Sequence, residues 1–586
     1  MKFVLLALLF SLNLHLVRSL VECDASGCEL KNYLRGPWPD RRPCKITKAF
    51  FPTNEAELLD AVAYAVKSKQ KIKVVSREAH TMTKFACPNS GSDTGGVVIS
   101  TASFNSNSSV VVDKSSMTVS TPPGIMLGEL IDLLAMQGVT LHQTIAWDGV
   151  SPAGMVSAGA HGSSLWGRGG GTYEYLVSMR IVVPASKNEG FAKVVTVAEG
   201  SDLDLFHAAR ISLGVLGAIS HLTFSVQPMT KRSVTLSVAD DASLEDDFLR
   251  LAREHEFGEV LWYSSQKKYV WRTDDRAPLS VPGNGALIRV PFLPVQAAAA
   301  RSSRLSQEAA ETIGNSTFFC SAAKNTVNTI TSTGGGFVND EQQQRFSGFP
   351  VVGYFHKFQA RGGCQYTYSN STNLALPESE RLVCGWDFRA HGQFWFHVSV
   401  SISISDVGNF IRDVKQLRDL SPERLCLLDT SIALQIRYLK ASQAYLGPKT
   451  DAAQIEFITF RDRRPGEPQT YEDVAEEIEQ LLLFKYNGKP HFGKNRPHAF
   501  QDIGRKTKNL SKFLSARRKL DPQGWFSSDW SDAVLGIRGS PVTAKDGCAL
   551  EGLCVCSEAR HCAPDKGYFC KPGLVYHEAR VCSNRS

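Results

Sequence analysis

The sequence predicts an α+β protein in three parts: a mixed α/β N-terminal domain, a second α+β domain built on antiparallel sheet, and a small disulfide-rich tail. Three observations carry this. Short β-rich runs and helical spacings intermingle over the first 230 residues without a regular βαβ repeat. The segment FWFHVSVSISIS, residues 394–405, alternates almost perfectly and sets Phe396, Val398, Val400, Ile402 and Ile404 on one face of a half-buried antiparallel strand. Six cysteines, Cys548, Cys554, Cys556, Cys562, Cys570 and Cys582, crowd the last 39 residues.

A chain of 586 residues exceeds one ordinary core, so two or three domains are expected. With 43% apolar and 21% charged residues the composition is globular. Lys2 followed by the apolar run Phe3 to Phe10, continuing with interruptions to Val17, reads as a secretory signal over residues 1–19, with Val17 and Ser19 at the small-residue cleavage positions. Ser11, Asn13 and His15 interrupt a segment already too short for a membrane anchor. No later stretch approaches about 18 unbroken apolar residues, so no stable membrane insertion is expected. The mature chain is expected to be secreted, in the extracellular space or cell wall. The formal charge of +7, two units of it from Lys2 and Arg18, includes no concentrated basic tract, and nucleic acid is not an expected partner. Nothing in the sequence specifies an oligomeric state.

All fourteen cysteines lie beyond the expected cleavage point, where an exported chain pairs them. For the terminal six a zinc site is the rival reading. The CVC spacing lacks CxxC halves and the compartment is oxidising, which favours disulfides with their connectivity open. Asn107, Asn315, Asn370, Asn509 and Asn584 each begin an N-x-S/T triplet, the acceptor pattern for glycosylation.

Along the N-terminal domain, Asn54 and Glu57 form a capping box ahead of Leu58, Leu59, Val62 and Val66, spaced for one helix face. Lys71 to Val75 is a strand that feeds a polar loop centred on His80. Strands follow at Val97 to Ser100, Val110 to Asp113 and Met117 to Ser120, then a helix through Leu127, Leu130, Ile131 and Leu134. Neither GxGxxG after a first strand nor GxxxxGK[ST] is present, which argues against Rossmann and P-loop nucleotide sites. The segment Gly149 to Thr172 holds eight glycines, so its backbone can approach a bulky ligand and its amides can cradle a pyrophosphate. Met155, Val156, His161 and Trp166 within it argue against a plain linker.

From Lys231 the pattern changes. Ala433 to Tyr438 and Gln454 to Phe460 read as further strands, while Val474, Ile478 and Leu481 mark a helix behind a Thr470 cap. Residues 296–344 read as a long, partly loose insertion. Gln435 and Arg437, two apart on a strand, point to one side; the bland reading is a solvated face.

Taken together, the loop around His80, the GAHGS tract and LGVLGAISHLTF (Leu213 to Phe224) resemble the FAD-binding domain of the vanillyl-alcohol oxidase (PCMH-type) flavoprotein superfamily. Within it the chain is similar to the aldonolactone oxidoreductases, and most to the plant L-gulonolactone oxidase-like group, over nearly the whole mature chain. The resemblance implies an FAD-binding domain over residues 20–230, a substrate domain over 231–485, a segment over 486–540 that returns to the flavin, and a cysteine-rich tail over 541–586. It implies that FAD lies along Ser76, Arg77, Glu78, Ala79, Thr81, Thr83, Ser151, Pro152, Gly154, Gly159, Ala160, His161, Gly162, Ser163, Gly217 and Ile219. His80, in AHT where many members carry a GHS-like tripeptide, can then tether the flavin covalently.

The same resemblance implies catalytic roles for Gln435, Arg437, His491 and Lys494. Arg437 would stabilise negative charge as hydride moves to flavin N5. Gln435 stands where the family carries a Glu, and an amide can neither carry charge nor take a proton. GKPHFGK departs from the family's HWxK at Phe492; Lys494 would lie near the flavin N1 and C2 carbonyl, with His491 beside it. Ile145 falls where the family's oxidases carry small or Pro residues; the electron acceptor implied is oxygen or another acceptor, and a bulky side chain at this position obstructs oxygen and favours the second. No metal ligand set is expected. The substrate implied is a sugar lactone such as L-gulono-1,4-lactone. Alternatives are another sugar or alditol, a cytokinin-type substrate, which HFGK and the tail disfavour, or a catalytically weak flavin-binding glycoprotein.

Overall fold

A computed structural model describes residues 21–24, 27–30, 41, 43–76, 83–89, 95–288, 305, 308–309, 317–324, 326–359, 394–429, 433–462 and 464–585. His80, Arg77, Glu78, Ala79 and Thr81 lie outside the described residues, as do the expected signal and Asn315 and Asn370.

Two sheets form the core of the N-terminal domain, beside a small antiparallel sheet of Val21–Asp24, Gly27–Leu30 and Lys45–Ile46. Lys48–Phe50 and Ile72–Val75 flank Val97–Ser100 in a parallel sheet. The helix Glu55–Lys67 starts at Asn54, whose side chain accepts the Glu57 N–H at 3.0 Å. The Glu57 carboxylate reaches back to the Thr53 N–H at 2.8 Å, one residue earlier than a capping box requires. Leu58, Ala61, Val62 and Ala65 form its buried face. The second sheet runs Ala192–Ala198, Leu176–Pro184, Ala218–Pro228, Thr118–Thr121, Val111–Asp113, with Val139–Leu141 also paired to Ala218–Pro228. Against it the helix Leu127–Met136 buries Leu127, Leu130, Ile131 and Leu134.

Much of the segment 486–540 completes this domain. Leu510, Phe513, Ala516 and Leu520 of the helix Leu510–Leu520 enter the core under the second sheet. Ile72 N–H donates to the Trp525 carbonyl at 2.8 Å, and the buried Lys73 ammonium donates to the Phe526 carbonyl at 2.8 Å.

The second domain is an eight-stranded antiparallel sheet in the order Val351–Tyr354, Lys231–Asp240, Lys268–Ala277, Phe257–Tyr263, Leu434–Leu439, Ala452–Arg461, Phe394–Ser403, Lys489–Pro490. One face packs Val398, Val400, Ile402, Ile436, Ile455 and Phe457 against the helices Leu244–Glu254 and Val407–Leu420. The other face is polar yet not solvated: Ser399 is 0% exposed, Gln454 1% and Glu456 2%. The N-terminal domain lies on it, with Ser164 N–H donating to the Tyr438 carbonyl at 3.1 Å.

Three expectations are corrected. The alternating strand ends at Ser403, and Ile404 turns into a 3-10 turn, half-buried. The helix Glu472–Gln480 is not capped by Thr470; Tyr471 holds the cap position at φ 66° without a side-chain bond, and the acidic pair Glu472 and Asp473 favours the positive helix start instead. Within residues 296–344 the helices Thr317–Lys324 and Thr326–Ser332 are formed, the first tied down by the Cys320–Cys426 disulfide.

In the tail, Cys548 pairs with Cys554, Cys556 with Cys570 and Cys562 with Cys582. The helix Glu472–Gln480 grips this module through its acids. The Glu477 carboxylate accepts the N–H groups of Leu574, Val575 and Tyr576 at 2.7, 2.7 and 2.8 Å, and Glu476 accepts that of Cys582 at 2.8 Å.

One buried acid makes stability pH-dependent. Asp429 accepts the Ser265 N–H at 2.9 Å, but its Oδ1 has no hydrogen-bond partner among the described residues, and burial pushes its carboxyl up to about 7. A folded pKa above the unfolded one means that the folded state holds an extra proton between about pH 4 and pH 7, so this contribution to stability is lost as pH rises through that window. Asp429→Asn is expected to raise the thermal midpoint at pH 8 and to flatten its pH dependence between pH 5 and 8, as read by unfolding scans.

Candidate active site

The site forms where the polar sheet face meets the glycine-rich segment. Strand alternation sets Gln435 and Arg437 on that face, and register places Glu456 opposite Gln435 and Ser399 opposite Glu456. The Glu456 carboxylate receives Arg437 Nη2 in a short ion pair, Lys494 Nζ at 2.8 Å, Ser399 Oγ at 2.9 Å and His397 Nε2 at 3.3 Å. His161 Nε2 stands 3.9 Å away. Burial would raise this carboxyl, but Arg437 and Lys494 overcome it and hold it well below the usual range, so it is ionised. Burial lowers Lys494 against the pull of Glu456.

The histidines are neutral. Burial, helped by Arg437, lowers His161 to about 3; burial, helped by Lys494, lowers His397 to about 4 and His491 well below its ordinary value. His161 donates from Nδ1 to the Gly162 carbonyl at 2.8 Å, which leaves Nε2 as an acceptor. His491 donates from Nε2 to the Gly159 carbonyl at 3.1 Å while its Nδ1 accepts the Gly493 N–H at 3.1 Å. Two cations against one carboxylate leave the cluster positive. Arg437 Nε and His397 Nδ1 are buried without a hydrogen-bond partner among the described residues; the first suits a ligand's oxygen, and the second, an acceptor because Nε2 donates to Glu456, suits a ligand's hydroxyl.

Gln435 stands outside this cluster. Its amide donates to Glu259 at 2.7 Å, and Glu259 pairs with Arg272 at 2.9 Å.

Beside the cluster a cavity runs between the strand end at Val75 and Ser76, the helix Pro152–Ser157 and the Gly214–Ile219 turn, reaching Phe492 and Gly493. Ser76, Ser151, Gly154, Gly217 and Ile219 line it, as do Ala153, Ser157, Ala158 and Gly214. Pro152, Ala160, Gly162 and Ser163 do not. Gly159 and His161 line a neighbouring cavity with His491. Ser163 bridges the domains instead, its hydroxyl donating to the Gly258 carbonyl and accepting the Tyr438 N–H at 2.8 Å. Thr83 opens the 3-10 turn Thr83–Phe85, whose Phe85 reaches the cavity. Small side chains along an elongated cleft fit a long cofactor lying close to backbone.

Gly162 is a tight point of that segment against backbone. A Cβ there would lie 2.5 Å from Gln143 Oε1 and 2.6 Å from the Thr144 carbonyl. Gly162→Ala is expected to displace the His161 carbonyl that accepts Arg437 Nη1 at 3.3 Å, costing about 1–3 kcal/mol. A lower flavin-to-protein absorbance ratio in the purified variant checks it.

Residues 47–187 match the model of an FAD binding domain, residues 389–534 that of D-arabinono-1,4-lactone oxidase, and residues 545–584 that of the L-gulonolactone oxidase 2-like C-terminal domain. L-gulonolactone oxidase 3 of Arabidopsis thaliana is 41% identical over 563 residues, covering 96% of this chain and 93% of the relative. The chain belongs to the L-gulonolactone oxidase family. L-gulonolactone oxidase 5 of the same plant is 40% identical over 95% of the chain and 92% of its own length, and the Mus musculus L-gulonolactone oxidase is 21% identical over 85% and 97%. Among solved structures a solvent-stable cholesterol oxidase shares the fold, with a TM-score of 0.60 at 13% identity over 84% of this chain and 96% of its own. 6-Hydroxy-D-nicotine oxidase of Arthrobacter nicotinovorans has a TM-score of 0.51 at 12% identity over 87% and 96%.

This L-gulonolactone oxidase family member is an FAD-dependent oxidoreductase of PCMH-type fold. Ser76, Ser151, Gly154, Gly217 and Ile219 are the residues of the cavity that would hold the FAD. Sequence reasoning missed Glu456, His397 and Ser399. A single acid inside the apolar strand AAQIEFITF was the available signal, since an unpaired carboxylate is costly in a core.

Proposed function

We propose that the protein is a secreted enzyme that oxidises an aldonolactone, such as L-gulono-1,4-lactone, at a carbon bearing a hydroxyl, towards an ascorbate precursor. Bound FAD supplies the hydride acceptor at N5. The observation that carries this is the Arg437–Glu456–Lys494 cluster beside the small-residue cavity. Arg437 and Lys494 are fixed cations in a dry site, arranged to favour negative charge developing on a substrate oxygen. The neutral His161 presents an acceptor nitrogen to a substrate hydroxyl, and His491 pins the glycine-rich segment.

We assign His80 as a covalent tether, and Ile145, half-buried against the N-terminal core, as an obstruction to oxygen that favours another electron acceptor. Exposed Asn107 and Asn584 are consistent with an exported glycoprotein. Anaerobic mixing with a panel of lactones, alditols and sugars tests the substrate. L-gulono-1,4-lactone is expected to bleach the flavin, and bleaching by none of them would favour a flavin-binding glycoprotein without this activity. Acid precipitation should leave the flavin on the protein, and reduced protein in aerated buffer should reoxidise slowly.

A further inference from the structure

We infer that Glu456 is the positioning carboxylate of this active site, and that it holds the Arg437 guanidinium and the Lys494 ammonium side by side as one unit. Each of its oxygens takes one cation and one neutral donor. Oε1 receives Arg437 Nη2 and Ser399 Oγ, and Oε2 receives Lys494 Nζ and His397 Nε2. A carboxylate has about four acceptor sites, so Glu456 has none left for a substrate proton. It acts through the two cations.

The surrounding side chains are built to aim it. Ser401 Oγ donates to Gln454 Oε1 at 2.6 Å, Gln454 Nε2 donates to Ser399 Oγ at 2.7 Å, and Ser399 donates to Glu456. This chain of bonds runs across three neighbouring residues of the polar sheet face and ends on the carboxylate.

The same geometry explains Gln435. Residues 435 and 456 are direct cross-strand partners, so a carboxylate at either position reaches the same region of the face. At 435 a carboxylate would meet Glu259, which accepts the Gln435 amide at 2.7 Å. The amide is therefore the residue that fits at 435, and the negative charge stands one strand over at 456. Gln435 does not by itself make the site deficient in charge.

The inference rests on the flavin site and not on which lactone is used. Glu456→Gln and Glu456→Asp, purified with flavin bound, are compared with wild type in two readouts: the anaerobic flavin reduction rate and the midpoint potential of the bound flavin against reference dyes. Glu456→Gln is expected to slow reduction by about 100-fold with little change in KM, and to shift the potential upward because the cluster gains one net positive charge. Glu456→Asp is expected to stay within roughly tenfold of wild type with a smaller shift.

A wild-type rate and potential in Glu456→Gln would overturn the inference. So would equal losses in both variants with an unshifted potential, which would mark a packing role only. Where Glu456→Gln does not retain flavin, Ser399→Ala removes one donor and no charge; a several-fold slower reduction supports the inference and an unchanged rate overturns it. The potential needs no lactone. A wild-type protein that no lactone bleaches therefore defeats the proposed substrate, while the potential still decides Glu456.

Discussion

Lys494→Met is expected to slow lactone-driven flavin bleaching by about 10²–10³-fold while the flavin stays bound. The ammonium is held at 2.8 Å from Glu456 on a side chain only 19% exposed, so no water can replace its charge cheaply. Removing it also leaves Arg437 as the one cation on Glu456 among the described residues, which makes the cluster neutral. Stopped-flow reduction under anaerobic conditions reads the effect, and bleaching at the wild-type rate would show that the ammonium contributes nothing to the chemistry. A pH dependence follows with a defined sign. Burial lowers the Lys494 pKa, so a rate that needs the charged form declines with rising pH before the ordinary lysine range is reached. Lys494→Arg should move that decline out of the measurable range, because a guanidinium does not deprotonate there.

Arg496→Leu is expected to destabilise the protein by about 3–5 kcal/mol. Two residues from Lys494, the Arg496 guanidinium is buried in the acids of the helix Glu472–Gln480, forming a short ion pair with Glu479 and lying 3.6 Å from Glu472 and 3.9 Å from Glu476. Glu479 is 0% exposed, and without Arg496 its charge has only His498 beside it among the described residues. The same arginine packs under the tail, where a Cβ on Gly552 would lie 2.4 Å from its Cδ, and His498 N–H donates to the Gly552 carbonyl at 3.2 Å. The loop carrying His491 and Lys494 is thus clamped between an acidic helix and a disulfide module. Denaturant unfolding should show the loss, and activity should fall with it; an unchanged unfolding midpoint would mean that the acids find other partners or take up protons.

Much of this fold was legible because local patterns determine local elements. The Asn54 cap and the 3.6-residue spacing of Leu58, Val62 and Val66 specify a helix, and FWFHVSVSIS specifies a strand, wherever either lies in space. The glycine-rich segment was legible as a place where backbone approaches something large. Its assignment residue by residue was not, because Ser163 faces the second domain and Gly162 packs on Gln143 and Thr144 rather than the cavity, and both depend on how distant segments meet.

The carboxylate of the site was the least legible feature. Register between strands places Glu456 opposite Gln435, and the two residues are separated by a turn whose length gives no clue to the pairing. Thr470 was misread for a simpler reason: a hydroxyl two residues before the helix start was within the range that cap patterns allow, and the backbone turned at Tyr471 instead.

The sequence by itself determined the layered α+β architecture, the disulfide-rich tail, and the separate presence of Arg437, His491 and Lys494, since composition, periodicity and short motifs survive without coordinates. Only the tertiary structure decided that Arg437 and Lys494 share one buried carboxylate, that Gln435 serves Glu259 instead, and that the tail clamps the loop of His491 and Lys494 through Arg496. The physical reason is the same in each case. Charge in a dry interior is governed by which groups lie within a few ångströms, and strand pairing and domain packing bring those groups together from distant parts of the chain.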